Sequence, residues 1–368
     1  MVAIFRDPDL ARRLVQAIRA RSTRPVRLME FCGGHTHAIL RYGIPTLLPP
    51  TVELRSGPGC PVCVTSAEDL GRAIALALLP GAILATFGDM VRVPGSRGAG
   101  PASLAEAKAA GADVRVVYSP LDALHIARQN PARQVIFLGV GFETTAPMVA
   151  SAVLAAEAEG LENFYLYSTH KLTPPATRAI LDAGEVALDG IIGPGHVTTV
   201  IGAGAWRFLP EEYGIPCAVA GFEPLDILQA ILALVEMAEE GRPAVVNAYR
   251  RSVTSEGNRP AQEAMARVFR VVETSWRGFG PIPASGLDLR PEYARFDARR
   301  AFPVEVSPTR EPPGCRCGEV LRGVLFPDEC PLFGRACTPQ SPVGPCMVSA
   351  EGACAAYYQF GGQERWQR

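Results

Sequence analysis

The chain has 368 residues, 48% of them hydrophobic, and a formal net charge of −1, enough apolar content for a sizeable core in two or three domains. A nearly neutral chain has no bulk electrostatic pull towards nucleic acid or a membrane surface, and no stretch reaches the roughly 18–20 apolar residues of a membrane span. The N-terminus "MVAIFRDPDLARRLVQAIRA" lacks the basic-then-apolar order of a secretory signal, so the expected location is cytoplasmic. There, ten cysteines point to metal or redox chemistry rather than a structural disulfide framework.

In chain order, residues 1–24 predict a helix, expected to pack on the C-terminal domain. Strand candidates follow at 26–31, 51–55, 82–87 and 113–119, then at 134–140, 163–168, 189–193 and 217–222. Ala/Leu-rich helical stretches such as 67–79 and 146–160 lie between them. Strands alternating with helices imply βαβ units and parallel sheets. The two sets look like an internal repeat: "FCGGHTHA" and "GVGFETTA", then "SGPGCPV" and "IGPGHVT", then "ATFGDM" and "AGFEPL". The expected fold is two similar Rossmann-like α/β domains, 25–132 and 133–245, facing a cleft. Ligands of such sheets sit outside the carboxyl ends of the strands, where all these motifs fall.

Beyond 245 the pattern changes. "AVVNAYRRSVTSEGNRPAQEAMARVFRVV" reads as two helices and "RGFGPIPASG" as irregular. From 308 to 354 Pro, Gly and Cys dominate, so something other than an ordinary core must hold the segment. Residues 246–368 are therefore expected to form an irregular, partly helical domain around the cysteines.

Six thiols lie there: Cys315, Cys317, Cys330, Cys337, Cys346 and Cys354. The first two are one residue apart, and the later gaps hold 12, 6, 8 and 7 residues. Zinc sites show short paired knuckles; irregular gaps among turn residues favour a [4Fe–4S] cluster, which needs four thiolates. Two thiols are then left over, and a disulfide beside a cluster suits electron transfer to thiols.

Near the N-terminus, "EFCGGHTHAI" sets Cys32 at a strand end, with a glycine turn and a helix expected to start near Thr36. Helix-start N–H groups lower a thiol pKa, and His35 can share a soft metal with Cys32; for His37 a turn hydrogen bond is the plainer role. In "GPGCPVC", Cys60 and Cys63 are half of a metal site or a redox dithiol. The lack of a second knuckle favours redox. Glu143, Thr144 and Thr145 in "GFETT" and His196 in "GPGH" are candidates to bind a ligand or a partner's tail, with strand-end capping as the alternative. His170 and Asp89 are weaker candidates, His125 reads as a surface residue and Cys217 as core. Trp206, Trp276 and Trp366 show no useful spacing. No Walker A sequence, complete G-x-G-x-x-G, radical-type Cys triplet or G-x-S-x-G elbow is present.

Taken together, "EFCGGHTHAI", "GPGCPVCVT", "GVGFETTAP", "GPGHV" and the terminal "GCRCGEVLRG", "ECPLFG", "ACTP", "PVGPCMVS" and "EGACAAYY" resemble the HypD family of [NiFe]-hydrogenase maturation factors, over essentially the whole chain. The resemblance implies two similar α/β domains and a third carrying a [4Fe–4S] cluster. It implies a scaffold, shared with the small chaperone HypC, on which the Fe(CN)2CO unit is built, with cyanide from HypE and the hydrogenase large subunit reached through HypC. Residue by residue, Cys32 resembles the thiolate that holds the iron, with His35 close by and a HypC cysteine as co-ligand. Cys60 and Cys63 resemble the redox dithiol of the cleft. Cys315, Cys330, Cys337 and Cys354 resemble the cluster ligands, and Cys317 and Cys346 the extra pair beside them. Electrons would then run from the cluster through the two thiol pairs to the iron, making the chain a redox-active assembly scaffold. The rival is an iron–sulfur thiol–disulfide oxidoreductase resembling ferredoxin:thioredoxin reductase, with no iron at Cys32.

Overall fold

Continuous apolar runs, and more polar ones at the sheet edges, become parallel strands. In chain order these are β1 (Val26–Glu30), β2 (Val52–Ser56), β3 (Ala82–Thr86), β4 (Asp113–Val116), β5 (Gln134–Gly139), β6 (Phe164–Ser168), β7 (Gly190–Pro194), β8 (Cys217–Ala220) and β9 (Val245–Asn247). The structure is a computed structural model, and it describes residues 5–95, 100–306 and 311–361; Trp366 lies outside them. Strands β3, β7 and β8 are buried at every residue, as expected of parallel sheets covered by helices on both faces.

The α/β class is as the alternation predicts, but the division at 132/133 is not what the sheets show. One sheet has the order β2-β1-β7-β8-β9 and the other β4-β3-β5-β6, every pair parallel. The four-stranded sheet is thus inserted between β2 and β7 of the five-stranded one. The physical reason is the free edge of β1. With β2 on one side only, its other ladder needs a partner, and β7 supplies it, pairing Leu28 with Gly190. A Cβ on Gly190 would stand 2.9 Å from Leu28 Cδ2, so the glycine allows that approach.

Helix α1 (Pro8–Arg21) is N-capped by Asp7, whose side chain accepts from Asp9 N and Leu10 N. Among the described residues its main packing partner is not the C-terminal domain. Val15 and Ile18 join Ile231, Leu234 and Val235 of the helix Pro224–Glu240 in one buried cluster, and Glu239 accepts from Thr23 N and Oγ1 at 2.7 Å. The apolar stripe of α1 matches the apolar face of that helix, and this decides its partner.

The region after β9 also departs from expectation. The helix Arg259–Val268 runs directly into β10 (Phe269–Trp276), which pairs antiparallel with β11 (Gly280–Leu289), with a bulge between Val272 and Thr274. The "irregular" stretch is half of this hairpin. Pro281 and Pro283 hid it, because proline removes a ladder donor; a two-stranded ribbon has outer edges where that costs nothing. Residues 311–361 hold only short pieces: helices Cys317–Leu321 and Ala353–Phe360, and single turns at Pro327–Glu329 and Pro345–Met347. No helix among the described residues is long and apolar enough to cross a membrane.

Candidate functional site

Strand β1 delivers Cys32 to the carboxyl edge of its sheet. Helix α2 (Gly33–Arg41) begins at once, with Cys32 as an extended N-cap, φ −149° and ψ 123°; no glycine turn separates them, correcting the expected start near Thr36. The Gly57-Pro58-Gly59 strap folds over this corner. Gly57 N donates to Glu30 O at 2.8 Å and Gly33 N to Gly59 O at 3.0 Å. A Cβ on Gly59 would stand 2.3 Å from Cys32 N, so only glycine lets the strap lie there. Cys60 therefore begins one residue from contact with Cys32.

The Cys32 thiol is not activated in the way helix-start geometry suggests. It is pushed up to about 12, first by desolvation and then by the negative charge of Glu351 and Glu30. The Gly34 and His35 N–H groups act the other way and lose. Cys32 thus keeps its proton at neutral pH. Glu30 lies beneath, accepting from Cys32 N at 2.9 Å and from the Thr36 hydroxyl. Burial pushes its carboxyl up to about 7.

His35 is fully buried. Its Nε2 lies 3.0 Å from Gly221 O and 3.2 Å from Ala220 O. Both are acceptors, so Nε2 carries the proton. Nδ1 is left as a buried lone pair with no hydrogen-bond partner. Burial holds the ring down at about 4, neutral and able to donate to a metal. Phe222 stacks on His35 at 4.6 Å and on His196 at 4.0 Å; His196 itself is exposed. These rings all follow strands of the five-stranded sheet. His37 points elsewhere, edge-on to Phe360 at 4.9 Å.

Cys60 and Cys63 form a disulfide, Cα–Cα 5.2 Å, with Cys60 capping the short helix Pro61–Val64. That helix packs against the turn Pro345–Met347, which carries Cys346. Cys346 is in turn bonded to Cys317, Cα–Cα 6.5 Å. Two disulfides from opposite ends of the chain are therefore neighbours.

Cys315, Cys330, Cys337 and Cys354 are free thiols. Together with Cys317, Cys346, Leu332, Phe333, Gly344 and Met347 they line one pocket. Among the described residues, no three of His, Cys, Asp or Glu are grouped closely enough to hold a single metal ion. A cubane places one thiolate on each of four irons, so it calls for donors distributed around a space. Two observations fit that group. Gly344 leaves room where a Cβ would stand 2.7 Å from Cys315 Sγ, and Val343 N donates to Cys337 Sγ at 3.3 Å. Burial pushes Cys315 up to about 11 and Cys354 well above its usual value, and each feels the charge of Cys337 and Cys330.

The four-stranded sheet contributes less than its motif suggests. Glu143 turns inward, Oε1 accepting from Thr173 N at 2.8 Å and Oγ1 at 3.2 Å; Oε2 is buried without a partner. Thr144 is exposed, and Thr145 Oγ1 donates to Phe142 O at 3.3 Å. His170 is buried, 3.1 Å from Ser168 Oγ. His125 is exposed beside Gln129, Cys217 is core, and Glu351 is raised by burial first and then by the charge of Asp89. Sequence reasoning missed Glu30, Phe222 and Glu351.

A family model described as "HypD: Hydrogenase formation hypA family" matches residues 9–361. The chain is 50% identical over 369 residues to the protein named hydrogenase maturation factor HypD of Azotobacter vinelandii, covering 98% of this chain and 97% of that one. It is 49% identical over 366 residues to HypD2 of Bradyrhizobium diazoefficiens, 97% and 96% covered. It is 46% identical over 368 residues to HypD of Escherichia coli K12, 98% of each covered.

Proposed function

This chain belongs to the HypD family, and from that premise we propose that it is a hydrogenase maturation factor: a redox-active scaffold on which the Fe(CN)2CO unit of [NiFe]-hydrogenase is assembled. Its partners in this reading are a HypC-type small chaperone, HypE as cyanide donor, and the hydrogenase large subunit reached through HypC. The iron is cargo. Cys32 is its thiolate ligand, shared with a thiolate of the small partner, and the bare Nδ1 of His35 is the neighbouring donor. The pairing of a thiol with a neutral imidazole that has a free lone pair supports this, since sulfur and nitrogen donors suit a soft cation.

The observation that carries the reading is the sequence of contacts from Cys32 through the Gly59 strap to Cys60–Cys63, and on through the Pro345–Met347 turn to Cys317–Cys346 and the four free thiols. A [4Fe–4S] cluster held by Cys315, Cys330, Cys337 and Cys354 would supply single electrons at that end. With two electrons from an external one-electron donor and two protons, Cys317–Cys346 would become a dithiol. That dithiol attacks Cys60–Cys63, re-forming its own disulfide and leaving two thiols beside the iron ligand.

The test is anaerobic co-purification with the small partner, reading the infrared region where metal-bound cyanide and carbonyl absorb. Bands are expected in the native protein and should vanish in Cys32→Ala. In Cys60→Ser, iron should remain bound while the bands are lost; full bands in that variant would sink the relay. The oxidoreductase alternative predicts thiol exchange with no iron at Cys32 and no bands at all.

A further inference from the structure

The turn between β10 and β11 carries a guanidinium into the protein with donors left unbonded. Arg277 is 3% exposed, and its Nε and Nη1 are buried with no hydrogen-bond partner. The carboxylate paired with it, Glu311, stands 3.4 Å from Nε and is half-exposed; it is near enough for an ion pair but not aligned to accept. Leaving charged donors buried and unbonded is costly, and each such group in a native chain calls for a reason.

Its surroundings supply one. Arg277 N donates to Val64 O at 2.9 Å, one residue after Cys63. Gly278, φ +85°, lies so close to the helix Cys317–Leu321 that a Cβ would stand 2.5 Å from Gly318 Cα. The Gly278 carbonyl accepts from Arg322 Nη1. The turn is thus wedged between the Cys60–Cys63 helix and the segment bearing Cys315 and Cys317. Burial lowers the pKa of the guanidinium, and the charges of Glu311 and Cys315 act against that. A cation with unspent donors is thus carried on a turn that packs against the helix beginning at Cys317.

We propose that Arg277 is the counter-charge of the Cys315, Cys330, Cys337 and Cys354 site: a positioning residue whose buried guanidinium favours the more negative, reduced form of the group these thiolates hold and so sets its reduction potential. This rests on the cluster reading given above. Four thiolates and four sulfides outweigh the iron charge, and reduction adds one electron more. A cation in a water-poor setting therefore stabilises the reduced form preferentially. Glu311 partly offsets Arg277, so removing either should move the potential in opposite directions.

The experiment is a reductive titration with dithionite and redox mediators on the full chain loaded anaerobically with ferrous iron and sulfide, read by visible absorbance. In Arg277→Gln the ratio of reduced to oxidised sites at fixed potential should fall about tenfold, which for one electron is about 59 mV. Arg277→Lys should recover most of that. Glu311→Gln, on a half-exposed side chain that the fold does not need, should raise the ratio. A loaded chain whose midpoint is unmoved by Glu311→Gln overturns the inference even if Arg277→Gln fails to fold, and leaves the cluster reading standing. A wild-type chain that takes up no iron and sulfide overturns both.

Discussion

Glu143 closes β5 with a carboxyl turned away from water, and burial raises it to about 7 from an ordinary 4.5. Its folded pKa is therefore above its unfolded one. Between about 4.5 and 7 the folded chain binds more protons than the unfolded chain, so stability falls as pH rises through that window. Glu143→Gln keeps an acceptor for Thr173 and removes the titration. Relative to wild type, the variant should gain about 3 kcal/mol between pH 4 and pH 8, read as a divergence of urea midpoints. An equal difference at both pH values would mean the carboxyl is hydrated. His35 and His170 work with the opposite sign, since burial lowers them to about 4 and about 3, and their contribution is lost as pH falls below about 6.5. At this scale the sequence showed which residues bear chemistry but not which way they face. "GFETT" reads as a binding motif until the inward turn of Glu143 is seen. Cys32 reads as an activated thiol until the desolvation that outweighs two N–H groups is counted.

The inner strands β3, β5, β7 and β8 were legible as apolar runs because parallel sheets bury both faces, whereas strand order was not, because nothing local says which edge β1 will offer to which partner. The hairpin β10–β11 was illegible for the reverse reason: its prolines are a local signal against strand that a two-stranded ribbon tolerates. The partner of α1 also lies at this scale, and it can be checked. Ile18 is fully buried against the helix Pro224–Glu240, so Ile18→Ala should cost about 2–5 kcal/mol. Faster amide exchange should appear in 224–240 and β8. Loss of protection confined to 311–361 would instead return α1 to the C-terminal domain.

Because the four-stranded sheet is inserted between β2 and β7, the chain crosses between its two sheets twice, and residues far apart in sequence meet at the crossings. The meeting of "GPGCPVC" with "PVGPCMVS" is the one that matters for function: the helix Pro61–Val64 rests on the turn Pro345–Met347, and Cys63 and Cys346 are both buried there. If the two disulfides exchange directly, a thiol of one must be able to reach a sulfur of the other within ordinary disulfide geometry, a Cα separation of about 4.4–6.8 Å. The double variant Cys60→Ser, Cys317→Ser leaves Cys63 and Cys346 each without its partner. Mild oxidation with oxidised glutathione should then yield a Cys63–Cys346 bond, detected as a cross-linked peptide by mass spectrometry and lost on reduction. Serine at both abandoned positions preserves volume, so the packing that brings the helix to the turn should survive. Formation of the bond in high yield would show that the N-terminal and C-terminal thiol pairs form one conduit inside a single chain. Two separate glutathione adducts and no cross-link would mean that the pairs sit back to back without exchanging, and that reducing equivalents reach Cys60–Cys63 from a partner across the cleft.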